Sequence, residues 1–224
     1  MITKIDKPLD KLKIGVMGTR AYFIQKSLEE FNIPYHYIED SNPNWGFYDD
    51  YDLILGSGIY TILPDNIISA PKYGCYFIHE SPLPEGRGHA PIQWAIKNNR
   101  PNLTLTLFKV LPGVDDGHIV YQHNKQIDNF DCVKTIEETR AKGITECISI
   151  FLEELKEGVI VSRKQTGQGS YHKKRNPKDS ELTTITNKKD FWDELRMCDN
   201  DRYPAFFIYK DKKITLKYSI DDSK

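Results

Sequence analysis

The chain has 224 residues, of which 39% are hydrophobic, and this is enough apolar material for one hydrophobic core. Its formal net charge at pH 7 is -1, so no global field draws it to nucleic acid or to an anionic membrane. No run approaches the roughly 18 apolar residues of a membrane span, and the start MITKIDKPLDKLKIGV lacks an apolar signal core, so we expect a cytoplasmic protein.

The first hundred residues alternate between apolar runs and segments with helical spacing. The run KLKIGVMG at residues 11–18 predicts a buried strand, and AYFIQKSLEEFN at residues 21–32 predicts a helix. Strands that alternate with helices predict an α/β fold with a mostly parallel, doubly wound sheet. Further strands are predicted at YHYIED (35–40), YDLILGSG (51–58) and YGCYFIHE (73–80), and further helices at ILPDNIISAP (62–71) and APIQWAIKNN (90–99).

Several of these predicted strands end in a glycine or a polar residue. A sheet of this type binds ligands at the carboxyl ends of its strands, where we expect Gly18, Ser57, Gly58 and His79. The first turn, GVMGTR, contains neither GxGxxG nor a P-loop, so it predicts no site for NAD or ATP.

Beyond residue 100 the pattern changes to alternation. NLTLTLFKVL and HIVYQHNKQI predict a β-hairpin with Asp115 and Asp116 at its tip, and residues 131–157 predict a long helix. The polar, basic segment KQTGQGSYHKKRNPKDSEL (164–182) is expected to be a loop. A short helix, DFWDELRMC, and a second hairpin, AFFIYKDKKITLKYS, turning at Lys210-Asp211-Lys212, complete the chain.

His79 ends a predicted strand and precedes the loop SPLPEGRG. A lone histidine is more often a structural hydrogen-bonding residue than a catalyst. Two features favour catalysis here. Pro82 and Pro84 stiffen the loop while Gly86 and Gly88 free backbone amides to line a site, and strand ends are where α/β folds place chemistry.

Asp115 and Asp116 lie in the turn PGVDDG and allow two interpretations. Aspartates favour turns because they hydrogen-bond their own backbone. Alternatively, one carboxylate reaches His79, where it would orient the imidazole and favour its protonated form. Such a pair is suited to acid/base chemistry near neutral pH.

The remaining polar residues are less specific. Arg87 either binds carbonyl groups of its loop or contacts a substrate, and the basic run between Arg163 and Lys178 is either a solvated loop or a phosphate patch. No metal site is predicted, because no HxxxH, HExxH or CxxC spacing occurs among the histidines and cysteines. The cysteines concerned are Cys75, Cys132, Cys147 and Cys198.

Six segments resemble, in the same order, those of the 10-formyltetrahydrofolate-dependent formyltransferases, which act on methionyl-tRNA, glycinamide ribonucleotide or amino sugars. HESPLPEGRGHAPIQWAI is similar to the signature HxSLLPxxRGxxPIQ(x)AI, and LPGVDDGHIV is similar to GxDxGxI. KIGVMGT, LILGSGIYTILP, SYHKKRNPKDSEL and RYPAFFIYKDKKI extend the likeness over about residues 12–218. The resemblance implies a Rossmann-like formyltransferase domain over residues 1–160, followed at 161–224 by a small extension of loop, helix and hairpin.

The family's catalytic set is an Asn-x-His at a strand end and the Asp of GxDxG. His79 matches the histidine, and Asp115 matches the aspartate because it lies two residues after Gly113 and two before Gly117. The asparagine is replaced by Phe77. Formyl transfer to an amine passes through a tetrahedral oxyanion, and each donor aimed at that oxygen contributes on the order of 3 kcal/mol, which a phenyl ring does not supply.

Other residues are expected to assist this pair. Ser81, at the family's H-x-S position, is the nearest candidate donor to the oxyanion, and Glu80, unusual at its position, adds a carboxylate. The resemblance implies 10-formyltetrahydrofolate as co-substrate. The folate is expected near Ser57, Gly58 and the backbone of Leu111, Val114 and Asp115, and the acceptor near Arg87 and Gly88.

The acceptor is expected to be a nucleotide-linked amino-dideoxy sugar (dTDP-, UDP- or GDP-linked), of the kind made for surface polysaccharides such as lipopolysaccharide O-antigen. Methionyl-tRNA enzymes carry a larger C-terminal domain that binds nucleic acid, whereas about 60 residues follow the main domain here, and tRNA binding favours a basic surface. The family also implies a homodimer through the C-terminal hairpin. The alternatives are a methionyl-tRNA formyltransferase-like enzyme, a hydrolase of formyl-folate, and a degenerate binder of folate or nucleotide sugar, which Phe77 favours.

Overall fold

The computed structural model describes residues 1–39, 48–183 and 185–221. Thirteen strands and five helices occur in these ranges, together with 3-10 turns at Leu9–Lys11, Tyr48–Asp50 and Pro177–Ser180. The strands are β1 (Ile2–Lys4), β2 (Ile14–Met17), β3 (Tyr35–Ile38), β4 (Leu53–Ser57), β5 (Cys75–His79), β6 (Arg87–Gly88), β7 (Asn102–Val110), β8 (Gly117–Gln126), β9 (Val159–Val161), β10 (Arg163–Lys164), β11 (Tyr171–His172), β12 (Ala205–Tyr209) and β13 (Lys212–Leu216). The helices are α1 (Ala21–Glu30), α2 (Asp65–Ile68), α3 (Pro91–Lys97), α4 (Val133–Lys156) and α5 (Lys188–Arg196).

A seven-stranded sheet in the order β10-β8-β7-β5-β4-β2-β3 forms the centre of the molecule. The strands β3, β2, β4 and β5 are parallel, and the β7–β8 hairpin joins β5 in antiparallel fashion. Every residue of β2, β4 and β5 is buried, as expected for parallel strands with both faces covered. The predicted α/β fold with a mostly parallel sheet is confirmed.

Hydrophobic residues pack on both faces of this sheet. Tyr76 and Ile78 of β5 face α1 and α4 and belong to the larger cluster, whereas Cys75 and Phe77 belong to a smaller cluster on the opposite face. Successive side chains of a strand point to opposite faces, so His79 lies on the side of Phe77. The predicted core residues of the long helix are all buried in α4: Ile136, Ile144, Ile148, Phe151 and Leu155.

The structure departs from the expectations at short strands. β1 pairs with β9 through Ile2 and Val161, and nothing in the sequence predicted it. The segment expected to be only a loop contains β11, which pairs in parallel with β6. Strands of two or three residues carry too little alternation to give a sequence signal. Of the predicted run at 35–40, residues 35–38 form β3, and Asp40 lies outside the described residues.

The C-terminal part forms the predicted helix α5 and the hairpin β12–β13. Tyr209 pairs with Lys212, so the turn has two residues, Lys210 and Asp211, both with positive φ (44° and 63°), as in a type I′ turn. Met197, at the end of α5, belongs to the larger core cluster, so this part packs against the sheet domain. The division at residue 160 stays a prediction. Within the described ranges, no helix has the length and apolar character needed to span a membrane.

Candidate active site

A cavity of about 640 Å³ lies at the carboxyl ends of the parallel strands. Gly58, immediately after β4, and His79, the last residue of β5, contribute to its wall, as do Val114 and Asp115 from the β7–β8 turn. Its volume is typical of small-molecule sites, and this edge of a parallel sheet is where ligands of α/β proteins bind.

The His79 and Asp115 side chains meet in this cavity. The His79 Nδ1 atom lies 3.5 Å from Asp115 Oδ1, and the two side chains are 10% and 22% exposed. His79 Nε2 lies 2.9 Å from the Gly86 carbonyl oxygen; a carbonyl only accepts, so Nε2 carries a hydrogen. The nitrogen that faces the carboxylate is therefore Nδ1. The second oxygen, Asp115 Oδ2, accepts a 2.7 Å hydrogen bond from the Gly88 N–H.

The β7–β8 turn has to fold back along the sheet to bring Asp115 to this position. Tyr76 pairs with Lys109, so β7 leaves the sheet beside the start of β5, not beside His79 at its end. Asp115 has φ +46°, in the left-handed region that Asp tolerates better than most residues. Gln165 Nε2 donates a 2.9 Å hydrogen bond to the Asp115 carbonyl oxygen and so holds the folded turn.

Arg87 clamps the same turn. Its guanidinium donates to Gln165 Oε1 at 2.7 Å and lies 3.4 Å from Asp116 Oδ1. Arg87 therefore binds neighbouring side chains, and the expected contact with substrate stays a prediction. Asp116 is directed to Arg87 and to its own turn, since its Oδ1 also accepts from the Gly117 N–H. The structure thus separates the two aspartates of the turn in the way that the GxDxG spacing implied.

A brace from later in the chain supports the loop between His79 and Gly88. Ser170 accepts from the Gly86 N–H at 2.8 Å through its side chain and from the Arg87 N–H at 3.0 Å through its carbonyl oxygen. Gly88 has φ +97°, and a Cβ there would lie 2.4 Å from the His172 carbonyl oxygen, so β11 approaches β6 closely only because of this glycine. We call Gln165, Ser170 and His172 the brace.

Phe77 lines the wall of the cavity, and its side chain brings no polar atom there. Its ring is 8% exposed, and a Cβ at Gly56 would lie 2.6 Å from it, so the ring packs directly over that glycine. Ser81 does not compensate for it. The Ser81 side chain is buried beside a second cavity of about 10 Å³, lined also by Gly86 and His172, and the main cavity does not reach it. The expectation that Ser81 donates to the oxyanion is therefore not supported by its position, because the chain turns it away after His79.

The residues expected to hold folate divide into two groups. Gly58, Val114 and Asp115 line the main cavity. Ser57 and Leu111 do not: Ser57 is still inside β4 and fully buried, and Leu111 lies at the end of β7 with 37% of its surface exposed. The Ser57 side chain is therefore not positioned to contact a ligand in this cavity, and the expected contact with the Leu111 backbone stays a prediction.

The cavity has an apolar half and a charged half. The apolar half, on the Phe77 face of the sheet, contains Ile59, Leu63, Phe77, Phe108 and Val110, and Val114 of the β7–β8 turn also lines the cavity. The charged half contains a set of residues that ion pairs connect to α4, namely Arg20, Glu80, Glu137, Arg140 and Arg202, and Lys174 and Arg175 also line the cavity. Apart from Glu80 and the basic run, the residues of the charged half were not predicted, because they lie far apart along the chain. Along the chain, His79 lies between Phe77 of the apolar half and Glu80 of the charged half.

The charges of this half influence one another. Burial, the largest single influence, would lower the pKa of Arg20, but Glu80, Tyr60 and Glu137 together outweigh it and raise that pKa above its ordinary value. Burial lowers the pKa of Arg140, with Glu80 opposing and Arg20 adding to the decrease. Both guanidiniums remain charged at neutral pH. Among the described residues, no group of three or more His, Cys, Asp or Glu is placed to hold a metal ion.

Fold and cavity define an α/β protein with a Rossmann-like sheet and a ligand site at its carboxyl edge. Residues 49–149 match the family model described as formyl transferase. The chain is 29% identical over 158 residues to the methionyl-tRNA formyltransferase of Thermodesulfovibrio yellowstonii. The aligned region covers 69% of this chain and 50% of that protein. Residues 49–149 therefore match a formyl transferase domain, and the resemblance to the formyltransferase family is confirmed. It spans about half the length of the curated relatives it matches.

Solved structures show the same fold. A 4-N formyltransferase from Francisella tularensis superposes with a TM-score of 0.82 at 17% identity, covering 96% of this chain and 100% of that one. The formyltransferase PseJ from Anoxybacillus kamchatkensis, solved with a UDP-linked formamido sugar and tetrahydrofolate, superposes with a TM-score of 0.65 at 23% identity. The superposition covers 82% of this chain and 97% of PseJ.

Proposed function

We propose that the protein is an N-formyltransferase that moves the formyl group of 10-formyltetrahydrofolate to the primary amine of a nucleotide-linked amino-dideoxy sugar. The observation that carries this proposal is the His79–Asp115 pair, 3.5 Å apart in the wall of a cavity of about 640 Å³. A structural histidine would have no need of a carboxylate held in place by a strained turn.

The two halves of the cavity suit the two substrates. The tetrahydropterin of the folate contains a flat pyrimidine ring, and the apolar half offers Phe77, Phe108 and Val110 to pack against it. A sugar nucleotide carries hydroxyl groups and phosphates, which need the donors and acceptors of the charged half. The formyl carbon and the amine would then meet beside His79, between the halves.

His79 and Asp115 divide the proton transfer between them. As the amine attacks the formyl carbon, a new C–N bond forms and the amine has to lose a proton. Because Nε2 is committed to Gly86, Nδ1 is the nitrogen free to take that proton, and Asp115 stabilises the imidazolium that results. When the bond between the formyl carbon and the folate nitrogen breaks, the same proton returns to the leaving nitrogen.

A sugar acceptor is supported by a solved structure that shares this fold. PseJ, matched over 97% of its length, was solved with a UDP-linked sugar. A product of this kind would serve the assembly of surface polysaccharides such as O-antigen.

The acceptor is identified by a screen with 10-formyltetrahydrofolate and dTDP-, UDP- and GDP-linked amino-dideoxy sugars. We expect tetrahydrofolate release with at least one of them, and mass spectrometry should show a gain of one formyl group on that sugar. Formylation of initiator methionyl-tRNA alone would replace the sugar by tRNA as acceptor. Release of formate without any amine would instead indicate a hydrolase of formyl-folate.

The second candidate function is a binding protein that retains both sites without turnover. Phe77 favours it, since the oxyanion of formyl transfer then lacks the amide donor. Binding of folate and sugar nucleotide with no transfer at any protein concentration would support it over the enzyme.

We also propose that the chain forms a homodimer through the C-terminal hairpin. Phe207, Tyr209 and Ile214 lie on one face of β12–β13, because Phe207 pairs with Ile214, and Tyr209 and Ile214 are exposed. An apolar stripe on an exposed hairpin is typical of an interface. We expect Phe207→Glu/Ile214→Glu to halve the mass measured by light scattering during gel filtration. The matched control is Val161→Glu, at an exposed apolar residue on β9, and a monomeric wild-type protein would contradict the proposal.

A further inference from the structure

Three side chains from distant parts of the chain meet in the charged half of the cavity. Arg20 immediately precedes α1, Glu80 follows His79 at the end of β5, and Arg140 belongs to α4. Glu80 Oε1 lies 3.7 Å from Arg20 Nε and 4.0 Å from Arg140 Nε. All three are largely buried, with 18%, 6% and 11% of the respective side chains exposed. We call these residues the Arg–Glu–Arg cluster.

Two atoms of the cluster lack a hydrogen-bond partner among the described residues. They are Glu80 Oε1 and Arg140 Nε, and both are buried. A buried polar atom without a partner costs about 1–3 kcal/mol, and more when it is charged. Both residues line the cavity, so a molecule bound there can supply what the protein does not.

The chemistry of the two atoms selects the group that completes them. One is an acceptor, the other is a donor, and they lie 4.0 Å apart. A carboxylate or phosphate offers no hydrogen to Glu80 Oε1, and an ammonium group offers no acceptor to Arg140 Nε. A hydroxyl group both donates and accepts, and one oxygen can lie about 2.8 Å from each atom at once.

We propose that the Arg–Glu–Arg cluster recognises a hydroxyl group of the acceptor sugar, which donates to Glu80 and accepts from Arg140. The inference rests on the proposed function, since it specifies how the acceptor is held. Glu80 is the neighbour of His79 in the chain, so a hydroxyl bound there fixes the sugar ring next to the proton-transferring imidazole. Arg20 lies beside the same Glu80 oxygen, with its Nε atom 3.7 Å away, and adds a second positive charge next to the carboxylate.

The test measures binding, so it does not depend on formyl transfer. The probes are dTDP-4-amino-4,6-dideoxyglucose and its UDP counterpart, each compared with dTDP or UDP alone by isothermal titration calorimetry. The sugar should tighten binding to the wild-type protein. Glu80→Gln and Arg140→Gln should each raise the Kd of the sugar nucleotide by roughly 10- to 100-fold, because a hydrogen bond to a charged group is lost. Each should change the Kd of the bare nucleotide by less than about threefold.

Two further variants keep the result interpretable. The double variant Glu80→Gln/Arg140→Gln removes one negative and one positive charge, so it preserves the charge balance of the cluster. It is used where a single variant has a lowered Tm. Glu85→Gln is the matched control, because Glu85 lies in the same loop with an exposed side chain and pairs with Arg100 outside the main cavity.

The outcomes separate hydroxyl recognition by the cluster from the proposed formyl transfer. Hydroxyl recognition would be overturned if the variants bound sugar nucleotide and bare nucleotide equally weakly. It would also be overturned by unchanged affinities in the variants, or by a wild-type protein that binds the sugar nucleotide no more tightly than the bare nucleotide; a water molecule that bridges Glu80 and Arg140 predicts these last two results. A selective loss in the variants supports it even where no tetrahydrofolate is released. Conversely, turnover that is insensitive to Glu80→Gln would leave the formyltransferase standing and remove this role of the cluster.

Discussion

Replacing either His79 or Asp115 by asparagine is expected to lower turnover by about 100-fold or more without unfolding the protein. Acid/base groups contribute about 10²- to 10⁴-fold to the reactions they assist. His79→Asn replaces the imidazole by an amide, which does not exchange a proton near neutral pH. Asp115→Asn keeps an oxygen that accepts from Gly88, but its amide replaces the carboxylate that stabilises the imidazolium.

The structure makes Asp115→Asn a clean experiment. The residue has φ +46°, a conformation that asparagine adopts as readily as aspartate, so the turn should keep its shape. The matched control is Asp116→Asn, which removes a carboxylate from the next residue, directed to Arg87 rather than to His79. Its kcat should stay within about threefold of wild type. Comparable losses in both variants, or near-normal rates at position 115, would contradict the assignment.

The second large effect is expected at Phe77. Phe77→Asn places an amide donor in the cavity wall at the position where the family has its asparagine, and one such donor is worth on the order of 3 kcal/mol at an oxyanion. We therefore expect kcat to hold or to rise, by up to about 100-fold. The change also removes a buried ring, at a cost of about 3–5 kcal/mol in the free energy of unfolding.

Activity and stability have to be measured separately for this change. Urea denaturation gives the stability, and tetrahydrofolate release at a temperature where the variant is folded gives kcat. Phe77→Leu is the control, because it keeps an apolar side chain and adds no donor, so it should not raise the rate. A folded Phe77→Asn protein without activity would show that the ring has a role of its own, such as packing against the pterin.

The sequence predicted most of the sheet domain because its physical signals are local. The strands β2, β4 and β5 are short apolar runs bounded by glycine or polar residues, and α4 shows helical spacing over many turns. The pairing of β1 with β9 and of β6 with β11 had no such signal, because it depends on which backbones meet in space.

The sequence predicted the candidate-site residues that belong to a recognisable motif, and it did not predict the others. His79 was selected by its place at the end of a strand and in the HxS signature, and Asp115 by the spacing of the glycines around it. That Asp115 arrives by a turn folded back along the sheet, and that Ser81 points to a separate cavity, depends on backbone direction, which composition does not encode. The Arg–Glu–Arg cluster combines residues from three separate elements, so only the fold brings it together.

The brace has a consequence for how the protein tolerates change. Ser170 and His172 hold the backbone that presents Gly86 and Gly88 to the His79–Asp115 pair, and Gln165 holds the turn that carries Asp115. All three residues of the brace lie beyond residue 160, the predicted end of the sheet domain. A protein shortened to that domain would therefore lose the contacts that keep both loops beside His79 and Asp115.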